Sequence, residues 1–398
     1  MAHLKKISIK GFKSILDQEI ELGRLNIFIG TNGAGKSNLL EAIAMLSASI
    51  EGGIDYERLS RRGARLSSPE IFRSAFRNKD RKSTFSIDAT TDNIVYRMSI
   101  NAVDGFSYHS ESLKKTRKNT SLCGRSNNGA TINGVSLKSN IDREKSIIPV
   151  YQAFENSLPD LSSLEKFSIY APSTPILRGV ATDNSSKSPL GLYGGRLAES
   201  LRELINEASK SKELFRFFKL LDWFRSIGTR EEADSKLISE HISLGRNVVT
   251  YTDKFMKTNF NELYAYDVSE GALYILFVLV LLSHKESPDF LALDNVDNTL
   301  NPGLVRNLME QISDFIEKDE NKQVLLTTHN PTTLDAVDLF NEEHRLFVVS
   351  RNKDGHTQIK RISPPEGMDR NGWQKTYYGM KLSQIWLSGA IGGLTPGF

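Results

Sequence analysis

Apolar and polar residues alternate from Leu4 to Lys10, the chain turns at Gly11-Phe12-Lys13-Ser14, and the alternation resumes from Ile15 to Leu22. A period of two marks a strand with one buried face, so these stretches predict a β-hairpin. Leu25 to Ile29 is almost wholly apolar and predicts a short buried strand. From Leu39 to Met45 the apolar spacing becomes that of a helix, which Glu51-Gly52-Gly53 ends near Ile50. Further strands are predicted at Phe85 to Ile87, Ile94 to Ile100, Phe290 to Asp294, Val324 to His329, Leu346 to Val349 and Thr357 to Ile362. Arg196 to Ile227 predicts a helix. Leu197, Leu201 and Leu204 line one face, and Leu214, Phe217, Phe218, Leu221 and Phe224 another. Ala272 to Leu282 is the longest apolar run, and its length predicts a buried helix rather than a membrane span. No heptad repeat is sustained, so no long coiled-coil arm is expected.

Two stretches break the pattern. From about Asn101 to Ile147 the chain turns to serine, asparagine, glycine and lysine, with Lys114, Lys115, Arg117, Lys118 and Arg125 clustered. It reads either as a nucleic-acid or partner-binding loop or as a solvated insertion, and the sparse aromatics favour the second. Ile169 to Gly195 is rich in proline, serine and glycine and reads as a connector.

Composition adds limits. The 398 residues, 39% hydrophobic and 25% charged, have the balance of a soluble globular protein of two domains, or of one with a large insertion. A net charge of +3 announces no nucleic-acid partner, although Arg58, Arg61, Arg62, Arg65, Arg73, Arg77, Lys79, Arg81 and Lys82 form a basic, loop-like stretch. The single cysteine, Cys123, excludes an internal disulfide framework and a cysteine-built zinc site, and suits a reducing compartment. The N-terminus runs straight into a strand, with no sign of a signal peptide. A cytoplasmic protein without a membrane segment is expected.

Between the first buried strand and the first helix stands Gly30-Thr31-Asn32-Gly33-Ala34-Gly35-Lys36-Ser37. This is the phosphate-loop pattern in its required context of strand, glycine-rich turn and helix. Gly33 and Gly35 let the backbone approach an anion and aim successive N–H groups at it, and the helix adds its positive end. Lys36 is expected to reach the terminal phosphates and Ser37 to sit on a magnesium ion. The motif points to a nucleoside triphosphate.

The last third supplies the other half of the site. Phe290-Leu291-Ala292-Leu293-Asp294 is an apolar strand ending in aspartate, a Walker B pattern, whose carboxylate is expected to lie beside the phosphate-loop strand and to hold magnesium, directly or through water. Asp267-Val268-Ser269-Glu270-Gly271 opens the long apolar helix; Ser269 can cap it and Gly271 adds a second anion-binding surface. The strand from Val324 ends in His329, placed for a γ-phosphate contact.

At this point the chain resembles the ABC-type ATPases of the RecF, SMC and OLD grouping. The resemblance rests on the phosphate loop followed by Asn38, Ser269-Glu270-Gly271 as a degenerate signature, Asp294, the Thr299-Leu300-Asn301-Pro302 turn and Thr328-His329-Asn330-Pro331, with Ile9-Lys10-Gly11-Phe12-Lys13-Ser14 at the start. It covers roughly residues 1–100 and 260–360. It implies an α/β fold: an ABC ATPase head with a mixed, parallel-core sheet, an antiparallel β subdomain and an inserted helical lobe. The expected order is a first head segment over 1–100, an inserted lobe over 101–260, a second head segment over 261–362 and a tail over 363–398. It also implies ATP and Mg2+ as cofactors and a homodimer with two sandwiched ATP molecules, each between one subunit's phosphate loop and the other's Ser269 signature. His329 would sense the γ-phosphate and Lys13 would touch the nucleotide. In style the chain is similar to compact prokaryotic ATPases of phage-defence and abortive-infection systems.

One departure stands out. The family usually places a glutamate after the Walker B aspartate, and here the residue is Asn295. An amide can orient a water but cannot accept its proton. Asp297 could compensate; otherwise hydrolysis is slow. The tail carries Trp373, Tyr377, Tyr378 and Trp386 and is expected to pack on the head. No acidic nuclease constellation follows, so a nuclease or toxin effector is expected on another chain. The alternatives are a RecF-like repair ATPase that clamps duplex DNA between its basic stretches, and a nucleotide-locked scaffold.

Overall fold

A computed structural model describes residues 3–117, 119–137, 142–154, 158–185, 187–207, 221–234, 236–242, 244–391 and 394. In chain order its strands and leading helix are β1 (Lys6–Phe12), β2 (Ile15–Glu21), β3 (Leu25–Ile29), α1 (Lys36–Glu51), β4 (Thr84–Thr90), β5 (Ile94–Asn101), β6 (Ser107–Lys115), β7 (Ser121–Ser126), β8 (Gly129–Ile132) and β9 (Val135–Ser136). They continue with β10 (Ser168–Tyr170), β11 (Phe224–Arg230), β12 (Val248–Asp253), β13 (Glu262–Tyr264), β14 (Phe290–Leu293), β15 (Gln323–Thr328), β16 (His344–Arg351) and β17 (Thr357–Ile362). The described residues divide into two compact units: residues 1–169, 288–296 and 316–398, and residues 170–287 and 297–315.

The first unit holds two sheets. Eight antiparallel strands run in the order β2-β1-β4-β5-β6-β7-β8-β9. The predicted hairpin opens it, with Ile7 opposite Ile20 and Phe12 opposite Ile15. The second sheet has the order β10-β14-β15-β3-β16-β17, parallel from β14 to β16. One core joins the inner residues of the antiparallel sheet (Ile7, Ile9, Ile87, Ile100), α1, and Phe28, Leu325 and Phe347 of the parallel sheet. Phe28 and Phe347 stack at 4.8 Å between ring centroids. Helix α1 is therefore buried on nearly every side, which explains why its apolar residues do not confine themselves to one stripe. Gly52 ends it, as expected.

The polar stretch after Asn101 is not a loop. Strands β6 to β9 extend the antiparallel sheet through it, and Tyr108, Leu113 and Cys123 point into the core. The polar residues between them hid a period of two. Arg125, read as part of a charged surface cluster, is buried against Glu111. The basic stretch after α1 is likewise largely committed to internal partners. Arg62 and Arg61 reach Glu51 at 2.6 and 2.9 Å, Arg65 reaches Glu41 at 2.6 Å and Arg73 reaches Glu70 at 3.0 Å.

Glu51 makes this testable. Burial alone would push its carboxyl up, but the Arg62 hydrogen bond and the charges of Arg62, Arg61 and Arg58 together hold it below the ordinary glutamate value. A lowered folded-state pKa gives stability that is present above the unfolded value and is lost as pH falls through the folded one. Glu51→Gln should therefore lose less stability than the wild type between about pH 5 and pH 3, measured by urea unfolding.

Part of the tail packs on the first unit, while Tyr378 is exposed. Helix Leu382–Leu387 lies on the 3-10 turn Pro331–Ala336, with Ile385 and Trp386 fully buried and the Ser383 N–H donating to Asp335 Oδ1 at 3.0 Å.

The second unit contains helices Leu197–Asn206 and Glu270–Ser283 and a three-stranded antiparallel sheet, β11-β12-β13. The helix predicted from Arg196 to Ile227 starts where expected, capped at Arg196, but stops at Asn206, and Phe224 to Ile227 lie in β11. Phe224 packs edge-on against Tyr251 of the neighbouring strand, so tertiary pairing overrides the helical spacing. Leu214, Phe217 and Phe218 lie outside the described residues. Helix Glu270–Ser283 is buried almost throughout, as its unbroken apolar sequence requires. No helix among the described residues is long and apolar enough to cross a membrane.

Candidate nucleotide-binding site

The parallel sheet brings three distant segments to one edge. In its register Thr328 of β15 stands beside Ile29 of β3, and Leu293 of β14 beside Leu326 of β15. Gly30, Asp294 and His329 therefore leave neighbouring strands at the same carboxyl-terminal edge, where open α/β sheets place their ligands. The Walker B carboxylate reaches the phosphate loop although its strand does not adjoin the phosphate-loop strand. β15 lies between them, and Asp294 crosses that gap with its side chain.

The loop itself is tightly held. Gly35, the residue that caps α1, has φ 111°, and a Cβ there would lie 2.2 Å from Thr357 Oγ1. A Cβ on Gly30 would lie 2.2 Å from the Val349 carbonyl oxygen. Both positions need glycine, one for conformation and both for space. Thr357 Oγ1 donates to the Ala34 carbonyl at 2.8 Å and also bonds Ser14 Oγ at 2.7 Å. Ser14 Oγ in turn accepts from Asn38 Nδ2 at 2.6 Å, and Arg351 Nε donates to the Gly33 carbonyl at 2.9 Å. Thus β17, the hairpin turn and β16 all clamp the loop. Lys36 is buried, its Nζ donating to the carbonyls of Gly30 at 2.6 Å and Thr31 at 3.2 Å. Residues Asn32 to Asn38 line a cleft of about 250 Å³ with Arg65, Asn295 and Arg351.

Ser37 Oγ donates to Asp294 Oδ2 at 3.0 Å. Thr327 Oγ1 donates to the other oxygen, Oδ1, and accepts the Asn295 N–H at 2.8 Å. A hydroxyl beside a carboxylate at the foot of a phosphate loop is a hard oxygen donor set, and it fits Mg2+, which takes few protein ligands and completes its shell with water and phosphate. When bound, the ion would supply charge neutralisation at the β- and γ-phosphates. Asn295 sits at φ 57°, a left-handed conformation that asparagine tolerates better than a glutamate does.

Lys13 is not placed at the cleft. Its amine pairs with the buried carboxylate of Glu41 and lies 4.5 Å from the centroid of the Phe72 ring. Burial lowers its pKa, and the Glu41 charge opposes that shift. Glu41 also receives Arg65 Nε, and Arg65 Nη2 reaches Asn38 Oδ1 at 3.3 Å, so Arg65 joins Lys36 and Arg351 as a cation lining the cleft. His329 is exposed directly after β15, and the Asn330 side chain caps the following turn by accepting the Thr332 N–H at 3.0 Å.

In the second unit, Ser269 Oγ accepts the Ala272 N–H at 3.4 Å and caps the apolar helix, as predicted. Glu270 lies in its first turn, and a Cβ on Gly271 would come within 3.1 Å of Leu300 Cδ2. Asp297 is buried in the same unit. Sequence reasoning missed Thr327, Glu41, Arg351 and Thr357. Thr327 alone left a trace, as a hydroxyl ending an otherwise apolar run.

The chain is 41% identical over 63 residues to the DNA replication and repair protein RecF of Phocaeicola vulgatus, which is 15% of this chain and 17% of that protein. It is 49% identical over 45 residues to RecF of Parabacteroides distasonis, 11% of this chain and 12% of that one. The matches thus span less than a fifth of those relatives. Among solved structures it is similar in fold to the Smc head domain of Pyrococcus furiosus bound to the C-terminal domain of ScpA (TM-score 0.53, 13% identity, 91% of this chain and 97% of that one). A second Smc head, bound to the winged-helix domain of ScpA, gives TM-score 0.53 and 15% identity over 92% of this chain and all of that one. A family model described as "AAA domain, putative AbiEii toxin, Type IV TA system" matches residues 25–335. The chain belongs to that family, and it is an ABC-type ATPase of the RecF and SMC grouping.

Proposed function

We propose that this protein is a cytoplasmic, ATP-dependent switch that closes as a homodimer around two ATP–Mg2+ pairs and hydrolyses them slowly. The reading rests on one observation: Ser37 meets Asp294 at the mouth of the phosphate loop, and the next residue is Asn295 rather than a carboxylate. In this reading Lys36 and the loop amides bind the phosphates, Ser37 and Asp294 hold the metal, and His329 senses the γ-phosphate. Ser269, Glu270 and Gly271 close on the nucleotide of the partner subunit. Asn295 orients water without taking its proton, and Asp297, two residues on in the sequence, could do so. The family description names a putative toxin of a type IV toxin–antitoxin system; in our reading the chain serves anti-phage defence as sensor or scaffold for a separate nuclease or toxin.

The RecF matches favour a second reading, an ATPase that clamps duplex DNA. The carboxylate partners of Arg61, Arg62, Arg65 and Arg73 leave fewer cations for such a clamp. ATP turnover, alone and with duplex DNA, separates the two. The switch reading expects slow turnover, indifferent to DNA. Rapid turnover abolished by Asp297→Ala but kept by Asn295→Ala would overturn the slow switch, and stimulation by DNA would favour the clamp.

A further inference from the structure

We infer that Thr327 is a positioning residue for the metal-facing carboxylate and for the turn that follows it. The inference rests on the ATP–Mg2+ reading of the site. Thr327 is fully buried near the end of β15, the strand that separates the phosphate-loop strand from the Walker B strand. Its hydroxyl uses both capacities. The proton goes to Asp294 Oδ1, and a lone pair receives the Asn295 N–H. Its carbonyl takes the next amide, that of Val296, at 2.9 Å. β14 ends at Leu293, so this one residue continues the strand pairing beyond the ladder and fixes where Asp294, Asn295 and Val296 lie.

The consequence concerns rotation. A carboxylate turns freely about its last side-chain bond unless both oxygens are held. In Asp294, Ser37 holds Oδ2 and Thr327 holds Oδ1. Magnesium, when bound, would be held by both Ser37 and Asp294, which would leave Thr327 as the group that keeps the carboxylate plane in place. Partners of a metal ligand typically change metal affinity about 10- to 100-fold when removed. Strand β15 and the residue after it then carry two functions two positions apart, Thr327 on the metal side and His329 at the exposed end.

Thr327→Val keeps the branched shape and removes the hydroxyl. Binding of a fluorescent ATP analogue, titrated with Mg2+, should show a half-saturating Mg2+ concentration raised about 10-fold or more, with melting temperature little changed. Thr327→Ser, which restores the hydroxyl, should return it to within about 2-fold of wild type. Where the valine variant does not fold, Thr327→Ala, which also lacks the hydroxyl, is read against Thr327→Ser in the same way. An unchanged Mg2+ midpoint in the hydroxyl-free variant, or a serine variant as impaired as the valine one, overturns the role. Wild-type protein that binds the analogue without any dependence on Mg2+ overturns the metal reading itself, and this role with it.

Discussion

Lys36→Ala is expected to lower ATP turnover by about 100-fold or more and to weaken nucleotide binding, because it removes a pre-organised cation from a water-poor site. The amine is already confined. It is buried, and the Gly30 and Thr31 carbonyls hold it over the loop, so little side-chain entropy remains to be lost when phosphate arrives. Alanine keeps α1 intact, since it is the best helix former and Lys36 is the first residue of that helix. The expected pattern is therefore lost binding and turnover with unchanged thermal stability. Phosphate release and analogue binding measured side by side check it. Wild-type affinity in the variant would show that the loop amides alone bind the ligand.

The largest expected effect on stability lies away from the site. Glu111 accepts from Tyr96 OH at 2.6 Å, from Ser146 Oγ and from the Ile147 N–H at 3.0 Å, and pairs with Arg125 at 3.1 Å. Both charged side chains are buried, and the Arg125 guanidinium stacks 4.3 Å from the centroid of the Tyr108 ring. Ser49 of α1 bonds both Tyr96 OH and Tyr108 OH, so the network ties the helix behind the phosphate loop to the antiparallel sheet. Glu111→Ala leaves Arg125 buried without its counter-charge, which should cost about 3–5 kcal/mol. By calorimetry or circular dichroism the melting temperature should fall by roughly 4–9 °C. Removing both charges, as Glu111→Gln with Arg125→Met, should cost less than Glu111→Ala alone. The reverse order would mean that lost packing, and not the stranded charge, sets the cost.

Arg125 also marks the limit of what the chain discloses in one dimension. The phosphate loop was legible because its strand, turn and helix are contiguous and each glycine has a local reason to be there. The hairpin of β1 and β2 was legible for the same reason. The charge on Arg125 carried no such information, because whether it faces water or Glu111 depends on the pairing of β6 with β7. Phe224 fits a helical face by spacing and a strand by contact, and the contact with Tyr251 decides. Asp294 was recognised by its position after an apolar run. That β15 rather than β14 adjoins β3, and that Thr327 thereby meets Asp294, follows only from strand order and register.

The same strand order has a consequence for how the molecule is made. Both neighbours of β3 come late, β15 from Gln323 and β16 from His344, about 300 residues after it. At a synthesis rate of about 5–20 residues per second, that separation is roughly 15–60 s. For that interval Leu25 to Ile29 have no strand on either side, and their apolar side chains lack the partners that later cover them. The nucleotide loop is thus synthesised well before two of the strands that wall it.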